Sequence, residues 1–251
     1  MTRLSDYTKN NMKIILLDTE TTGLENGRIV QLAYKNRGDD SMFIEYYKPP
    51  VPIEFGAMGT HHITEEMVAD KTPFSETATY KELPKMLQDS ILVAHNAQYD
   101  IGILKTEGIE TNRFICTYKV AYRLYDFPDH KLQSLRYRWG VKIDEAKAHD
   151  ASGDVMVLEK VFDYMLKEYA SQNNITEEEA IEKFVEISNQ PNMLRRIGFG
   201  KHKGTSFDDL RDNHFDYLEW MKNKMEDKSE DLVFTLDYHL AKGATVSDTP
   251  F

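Results

Sequence analysis

The first informative part of the sequence is Lys13-Ile-Ile-Leu-Leu-Asp-Thr-Glu-Thr-Thr-Gly-Leu24, in which an apolar strand runs directly into two acids. Side chains alternate between the two faces of a strand, so Asp18 and Glu20 share a face with Ile14 and Leu16. A carboxylate on a core-facing row is costly unless something compensates its charge. The sequence therefore predicts a buried strand that ends in concentrated negative charge.

The composition is that of a globular protein. The chain has 251 residues, 41% of them hydrophobic and 29% charged, which allows one full-sized domain and a smaller one. Its single cysteine, Cys116, excludes an internal disulfide, and no long apolar run of the signal-peptide or membrane-span type is present. We therefore expect a cytoplasmic protein without a membrane partner. The net charge of −11 disfavours nonspecific binding of nucleic acid over the whole surface.

The alternation of patterns predicts an α/β fold. MKIILLD, IVQLAY and MFIEYYK have the pattern of three consecutive strands separated by turn-like residues. After Lys71, helical and extended patterns alternate: ATYKELPKMLQ (helix), ILVAHN (strand), about Ala97 to Glu107 (helix), FICT (strand), then YKVAYRLY, KLQSLRYRW and ASGDVMVLEKVFDYMLKEY (helices). Such an order is typical of a mixed sheet covered by helices.

A change of composition near residues 170 to 192 predicts a domain boundary. Thr176 and Glu179 form a capping-box pattern, which indicates the start of another helix. We predict three parts of the chain: a main domain over residues 1–170, a linker with an acidic helix over 171–192, and a small C-terminal module over 193–251. In the module, FDYLEWMKNKM and SEDLVFTLDYHL have helical patterns.

The C-terminal module contains a basic segment. Two glycines bracket Lys201-His-Lys203, and Arg195 and Arg196 add to the local charge. Backbone N–H groups and ammonium groups in such a segment can bind phosphate. An ordinary hairpin turn is the other interpretation of the same residues. The added arginines favour contact with a nucleic-acid backbone.

Two further acids are predicted to point inward. Asp100 and Asp154 each precede apolar positions on the same side of a predicted helix. Taken singly, such acids are typical of turns and N-caps. If they converge with the two strand acids, each pair at 4 Å repels by roughly 4 kcal/mol at an effective dielectric of 20. Two divalent cations would balance the four charges, and ligands that are all oxygens favour Mg²⁺ or Mn²⁺.

A pair of such ions suits phosphodiester cleavage, because one can stabilise the attacking oxygen and the other the leaving oxygen. The reaction also needs a base. His149 lies five residues before Asp154, and an imidazole can accept a proton near neutral pH. Without the acids, this histidine would be interpreted as a polar surface residue.

These residues resemble the three exonuclease motifs of the DEDDh group, in the same order. The motifs are Asp18-Thr-Glu-Thr-Thr-Gly-Leu24, Ala94-His-Asn-Ala-Gln-Tyr-Asp100 and His149-Asp-Ala-Ser-Gly-Asp154. The match covers roughly residues 12 to 170 and implies a ribonuclease H-like mixed sheet flanked by helices. A sister group has tyrosine four residues before the last aspartate, where this chain has Asp150, so the histidine version fits.

The resemblance implies a 3′–5′ exonuclease that uses two Mg²⁺ ions, for which Mn²⁺ can substitute. It implies that the metal ligands are Asp18, Glu20, Asp100 and Asp154. It also implies that His149 activates the attacking water.

The resemblance further implies four substrate contacts, for each of which simple packing is the alternative. They are Thr21, Leu24, His61 and Tyr99. Tyr99 replaces the phenylalanine usual in the family, and its ring can still stack on a nucleotide. Beside His61, His62 stands where glycine is common.

Outside the motifs, ITEEMVADK, Ile115–Leu124 and Phe199–Gly204 resemble the bacterial exodeoxyribonuclease X family. Proofreading epsilon subunits of DNA polymerase III are also related. The resemblance implies that the partner is a DNA 3′ end, single-stranded or in a frayed duplex, and that the enzyme releases 5′-mononucleotides. Two alternatives remain open: a 3′–5′ exoribonuclease, because the motifs do not distinguish DNA from RNA, and a noncatalytic module that binds nucleic acid or a polymerase.

Overall fold

The computed structural model describes residues 12–143 and 151–244. Within these ranges the chain forms β1 (Lys13–Thr21), β2 (Ile29–Asn36), β3 (Phe43–Tyr46), β4 (Ser90–Ala94) and β5 (Phe114–Cys116). They make one sheet in the order β3-β2-β1-β4-β5. The first three strands are antiparallel neighbours, whereas β4 is parallel to both β1 and β5. The predicted mixed sheet is confirmed.

The helices of the described residues follow the predicted order, with three additions. They are α1 (Phe55–His61), α2 (Glu65–Val68), α3 (Ala78–Gln88), α4 (Ala97–Thr106), α5 (Thr117–Leu124), α6 (Leu132–Arg138), α7 (Ala151–Asn173), α8 (Glu177–Asn189), α9 (Phe207–Asn213), α10 (Phe215–Lys224) and α11 (Glu230–Ala244). The sequence pattern did not indicate α1, α2 and α9. None of the three exceeds seven residues, which is too short for helical periodicity to be visible.

Helices cover both faces of the sheet. Ile14 and Leu16 of β1 pack in one core with α7, whereas Ile15 and Leu17 pack in a second core with α3 and α4. The register of β1 against β2 stays regular as far as Glu20. Strand alternation therefore places the two acids of β1 on the face that α7 covers.

An ion pair fixes α7 on the sheet. The Nζ atom of Lys35 on β2 lies 2.8 Å from Oε2 of Glu159 on α7, and both side chains are almost fully buried. The other oxygen of this carboxylate accepts the backbone N–H of Gly38 at 2.9 Å. A buried charge pair keeps its place when further hydrogen bonds satisfy it, so the long helix has a defined position along β2.

A second buried acid fixes the end of α4. Glu107 follows that helix directly and accepts two hydrogen bonds from the Arg28 guanidinium, at 2.8 and 2.7 Å. It also accepts the backbone N–H of Ile29 at 3.3 Å. The bidentate geometry fixes orientation as well as distance, so α4 is attached to the first residues of β2.

The chain divides into two compact units, Met1–Ser188 and Asn189–Phe251. The predicted capping box begins α8, because Thr176 and Glu179 each accept the other's backbone N–H, at 3.2 and 2.8 Å. This helix, which lies within the predicted linker over 171–192, packs in the same core as α7. The assignment of separate functions to the domains predicted over 1–170 and 193–251 stays a prediction.

The second unit has its own small core. It consists of Ile197, Phe207, Leu210, Tyr217, Leu218, Met221, Leu232 and Leu236. These residues come from α9, α10, α11 and a short hairpin that precedes them. None of the helices in the described part of the chain combines the length and the apolar character that crossing a membrane requires.

Candidate active site

The candidate site lies where two parallel strands end. Pairing between β1 and β4 runs from Lys13 opposite Ser90 to Leu16 opposite Val93. β4 then stops at Ala94, whereas β1 continues for several residues. Because the carboxyl ends of neighbouring parallel strands open at the same edge of a sheet, the acidic end of β1 lies beside the start of α4.

Asp100 of α4 binds the end of β1 directly. Its Oδ1 accepts the Thr19 backbone N–H at 3.1 Å and the Thr19 hydroxyl at 2.8 Å. Asp100 is only 3% exposed, and burial raises the pKa of its carboxyl to about 7, although the hydrogen bonds from Thr19 oppose the shift. The side chain therefore sits at the strand residue between Asp18 and Glu20, in surroundings that disfavour a negative charge.

Asp154 approaches the same edge from the other face of the sheet. The Ala151 N–H at the start of α7 donates to Oε1 of Gln31 at 3.3 Å. Gln31 stands opposite Glu20 in the register of β1 and β2. Asp154 lies in the first turn of α7, and its Oδ1 accepts a hydrogen bond from Nε2 of Gln133 at 2.6 Å.

Two residues of α6 support this contact. Arg136 donates to Oε1 of Gln133 at 3.3 Å, so the oxygen and the nitrogen of the Gln133 amide each have a hydrogen-bonding partner. The same guanidinium donates to the carbonyl oxygens of Val141 and Ile143, at 3.4 and 3.1 Å. α6 thereby contacts both Asp154 and the segment that leads towards residues 144–150.

No sequence pattern indicated a functional role for these supporting residues. A glutamine in a short amphipathic helix has the pattern of a surface residue, so nothing in the sequence pointed to Gln133. Gln31 did carry a signal, because it is a polar residue in the otherwise apolar strand IVQLAY and is 1% exposed. A buried amide needs a hydrogen-bonding partner, and here one partner is the start of α7.

The four predicted metal ligands thus lie at one end of the sheet, on β1, α4 and α7. His149, the predicted base, lies outside the described residues. Within residues 12–143 and 151–244, no group of three or more His, Cys, Asp or Glu side chains is arranged so that it could hold a metal ion. The roles of Asp18, Glu20, Asp100 and Asp154 as ligands stay predictions.

The pKa of the Tyr99 phenol depends on the acids of this region. Burial raises the pKa of its phenol and the Thr21 hydroxyl opposes that shift, while the charges of Asp100, Glu20 and Asp18 raise it further. Three acids therefore act on one phenol. Asp18, Glu20 and Asp100 therefore all lie near this ring at the edge of the sheet.

Three of the predicted substrate contacts are joined by hydrogen bonds. The hydroxyls of Thr21 and Tyr99 bind each other, and each lies 3.1 Å from the carbonyl oxygen of Gly23. Nε2 of His61 lies 3.1 Å from the carbonyl oxygen of Thr21. These side chains hold the loop after β1. Leu24 projects from that loop and is 82% exposed.

The hydrogen bonds of His61 define its tautomer. Nδ1 accepts the backbone N–H of Ile63 at 3.0 Å, so the proton is on Nε2, which donates to Thr21. Burial lowers the pKa of this imidazole. The next residue, His62, ends α1 with φ of 60°. This left-handed conformation favours glycine, which explains why glycine is common there in the family that the motifs resemble.

The Exonuclease family model matches residues 15–162, more than half of the chain. The protein belongs to the exonuclease family. The predicted resemblance and ribonuclease H-like fold are thereby confirmed. This exonuclease is a 3′–5′ phosphodiester hydrolase.

Two curated relatives cover most of this exonuclease. Exodeoxyribonuclease 10 of Escherichia coli strain K12 is 29% identical over 231 residues, which are 90% of this chain and 97% of the relative. DNA polymerase III subunit epsilon of Buchnera aphidicola subsp. Acyrthosiphon pisum is 30% identical over 239 residues, covering 86% and 97%. Both alignments cover too much of this chain to end before the second unit.

Two solved structures are similar to this exonuclease. Exonuclease X in complex with 5′-overhanging duplex DNA has a TM-score of 0.55 and 25% identity, and the match covers 70% of this chain and 99% of that one. The nuclease domain of 3′hExo, a DEDDh family member bound to rAMP, has a TM-score of 0.52, 16% identity and coverage of 62% and 92%. The second likeness supports the fold alone.

We expect His61 to make the stability of this exonuclease depend on pH. Its folded pKa lies below the unfolded value of about 6.5, so on acidification the unfolded chain takes up the proton first. The free energy of unfolding should therefore fall as pH falls from about 6.5 towards the folded pKa. The replacement His61→Asn keeps an acceptor for Ile63 and should remove this part of the slope, measured by urea unfolding across pH.

The matched control is His62→Asn, because His62 is exposed and asparagine tolerates its left-handed conformation. This variant should keep the wild-type slope. Equal slopes for His61→Asn and the wild type would contradict the assignment of a neutral, Nε2-protonated imidazole.

Proposed function

We propose that this protein is a two-metal 3′–5′ exodeoxyribonuclease that hydrolyses the phosphodiester bond at DNA 3′ ends and releases 5′-mononucleotides. The observation that carries the proposal is the contact between Asp100 and Thr19, which brings the acid of α4 to the strand residue that lies between Asp18 and Glu20 in the chain. Support for DNA as the substrate comes from the relative named exodeoxyribonuclease 10 and from the exonuclease X structure, which contains duplex DNA.

The proposed metal ligands fit divalent cations in their chemistry. Asp18, Glu20, Asp100 and Asp154 offer only oxygen atoms, the donors that Mg²⁺ and Mn²⁺ prefer. Asp100 is a buried carboxyl with a raised pKa, as expected of a group that lacks a compensating positive charge. When bound, two divalent ions would supply Lewis-acid stabilisation of the negative charge that develops on the phosphate.

The chain's own side chains have separate tasks in this proposal. The imidazole of His149 accepts a proton from the attacking water, which requires its neutral form. Leu24 packs against the terminal base. Thr21, Tyr99 and His61 hold the backbone from which Leu24 projects, so they position the terminal nucleotide through the loop.

Replacing a proposed ligand should remove the nuclease activity. We expect Asp18→Asn to lower the rate of mononucleotide release from a 3′-labelled single-stranded DNA oligomer by about 100-fold or more, because metal stabilisation is worth several kcal/mol. Excess EDTA should stop the wild-type reaction. The control is Asp89→Asn, an exposed acid directly before the opposite end of β4, which should leave the rate unchanged.

Undiminished release by Asp18→Asn, or in EDTA, would contradict the proposed chemistry. The substrate is tested by digesting DNA and RNA oligomers of one sequence in the same tube, where we expect DNA to be degraded faster. Preferential loss of RNA would establish the exoribonuclease alternative. Binding that leaves every 3′ end intact with both Mg²⁺ and Mn²⁺ supplied would establish the noncatalytic alternative.

We expect the rate to rise with pH through the titration of His149. Removing a general base typically lowers the rate by about 10²- to 10⁴-fold. The rate of His149→Ala should therefore be lower by that factor, and it should no longer rise with pH. Binding of Mn²⁺, measured by calorimetry, should stay close to wild type because His149 is not a proposed ligand. His62→Asn is the control, and a wild-type pH profile in His149→Ala would exclude the role.

We also propose that the hairpin of the second unit binds the DNA backbone. Its segments pair through the Ile197 N–H and the Thr205 carbonyl at 3.0 Å. The N–H groups of Lys203 and Gly204 are bonded within the hairpin, so they are not the phosphate ligands that the sequence suggested. The exposed ammonium groups of Lys201 and Lys203 are the groups offered to phosphate.

The double replacement Lys201→Ala and Lys203→Ala should weaken DNA binding and reduce its salt dependence. Each lost phosphate contact lowers the slope of log K against log salt by about 1, so we expect a decrease of about 2, measured by fluorescence anisotropy. The control replaces Lys160 and Lys167, exposed residues of α7, which changes the net charge equally. Equal salt slopes for the wild type and the hairpin variant would contradict this proposal.

A further inference from the structure

We propose that Phe55 contacts a base of the substrate strand beside Leu24, an inference that rests on the proposed exonuclease function. Phe55 is the first residue of α1, and it is absent from the motifs that indicated the site. It would be a further substrate-binding residue, one that selects for an unpaired base near the 3′ end.

The exposure of Phe55 is unusual. It is 90% exposed and Leu24 is 82% exposed, the two highest values among the large hydrophobic side chains of the described residues. Covering one such side chain is favourable by about 1.5–3 kcal/mol. A single exposed aromatic is ordinary, but two large apolar side chains on neighbouring segments indicate a binding surface.

Hydrogen bonding brings the chain positions of the two residues together. The Glu54 backbone N–H donates to the carbonyl oxygen of Thr22 at 2.8 Å. The Glu54 side chain covers Gly23, where an added Cβ would lie 2.3 Å from Cδ of Glu54. Since Phe55 follows Glu54 and Leu24 follows Gly23, the exposed pair flanks one contact between α1 and the loop after β1.

α1 is attached to the loop at both of its ends. At its start, Glu54 binds Thr22, and at its end, His61 donates to the Thr21 carbonyl at 3.1 Å. The helix therefore cannot move independently of the end of β1. A rigid support presents Phe55 in one position before the substrate arrives, which lowers the ordering cost of binding.

The charges of the site favour a base as the occupant. The edge of the sheet carries Asp18, Glu20 and Asp100, and Glu54 is exposed beside Phe55. The exposed Glu54 carboxylate repels a phosphate group next to Phe55, so an uncharged part of the strand is the group that fits there. A base has an apolar π face that stacks on an aromatic ring whatever its identity.

The experiment combines removal of the Phe55 ring with removal of one base from the DNA. Wild type and Phe55→Ala are compared by kcat/KM on single-stranded oligomers with one abasic residue at the first, second, third or fourth position from the 3′ end. On intact DNA we expect Phe55→Ala to lose roughly 10-fold, mainly in KM, as for one lost stacking contact. The abasic residue at the contacted position should lower kcat/KM of the wild type and leave Phe55→Ala unchanged.

Two further variants separate stacking from structure. Phe55→Trp should restore kcat/KM, because its ring also stacks, and Phe55→Ala should unfold at the wild-type temperature, because an exposed side chain contributes little to stability. Met67→Ala on α2 is the control, since this apolar residue is 49% exposed and should leave all rates unchanged.

The outcomes distinguish the inference from the proposed function. If the wild type releases no mononucleotide from DNA, the proposed function fails and the inference fails with it. If the wild type is active but Phe55→Ala equals it, or loses the same factor on every abasic oligomer, Phe55 touches no base. That result would overturn the inference alone, and it is the one expected if a protein partner covers Phe55.

Discussion

The hydrogen bonds between Asp100 and Thr19 connect the two elements on which the site depends. β1 extends past the end of β4, so the backbone of its last residues lacks a neighbouring strand on that side. The Asp100 carboxylate accepts the N–H and the hydroxyl of Thr19 in place of a strand. This contact satisfies a buried donor and carries an acid to the edge of the sheet at the same time. The raised pKa of Asp100 shows that hydrogen bonds alone do not offset its burial.

The surrounding elements keep the end of β1 in a defined position. α7 is fixed by the ion pair between Lys35 and Glu159, and α4 by the bidentate contact between Arg28 and Glu107. Both pairs lie outside the candidate site. The scaffold therefore neutralises its own buried acids with cations, whereas the acids of the site include one, Asp100, that burial disfavours in its charged form. Such perturbed carboxyls are concentrated at functional sites.

Much of this organisation could be predicted from local patterns. Strand alternation placed Asp18 and Glu20 on the face that α7 covers, and the capping box at Thr176 marked the start of α8. Short elements gave no such signal. α1 has only seven residues, which form fewer than two helical turns. It nevertheless carries His61 and Phe55. Its helical form depends on contacts with the loop after β1, and these contacts come from another part of the chain.

The sequence by itself determined the order of the strands and of most helices, the three motifs and hence the family. These features are local, because periodicity, turn residues and motif spacing are all read within a few residues. The tertiary structure alone decided which residues meet: Asp100 with Thr19 across 81 positions, Gln133 with Asp154 across 21, and Glu54 with Gly23. Such contacts follow from how helices pack on the sheet, and no local pattern encodes the distance between two elements that are far apart in the chain.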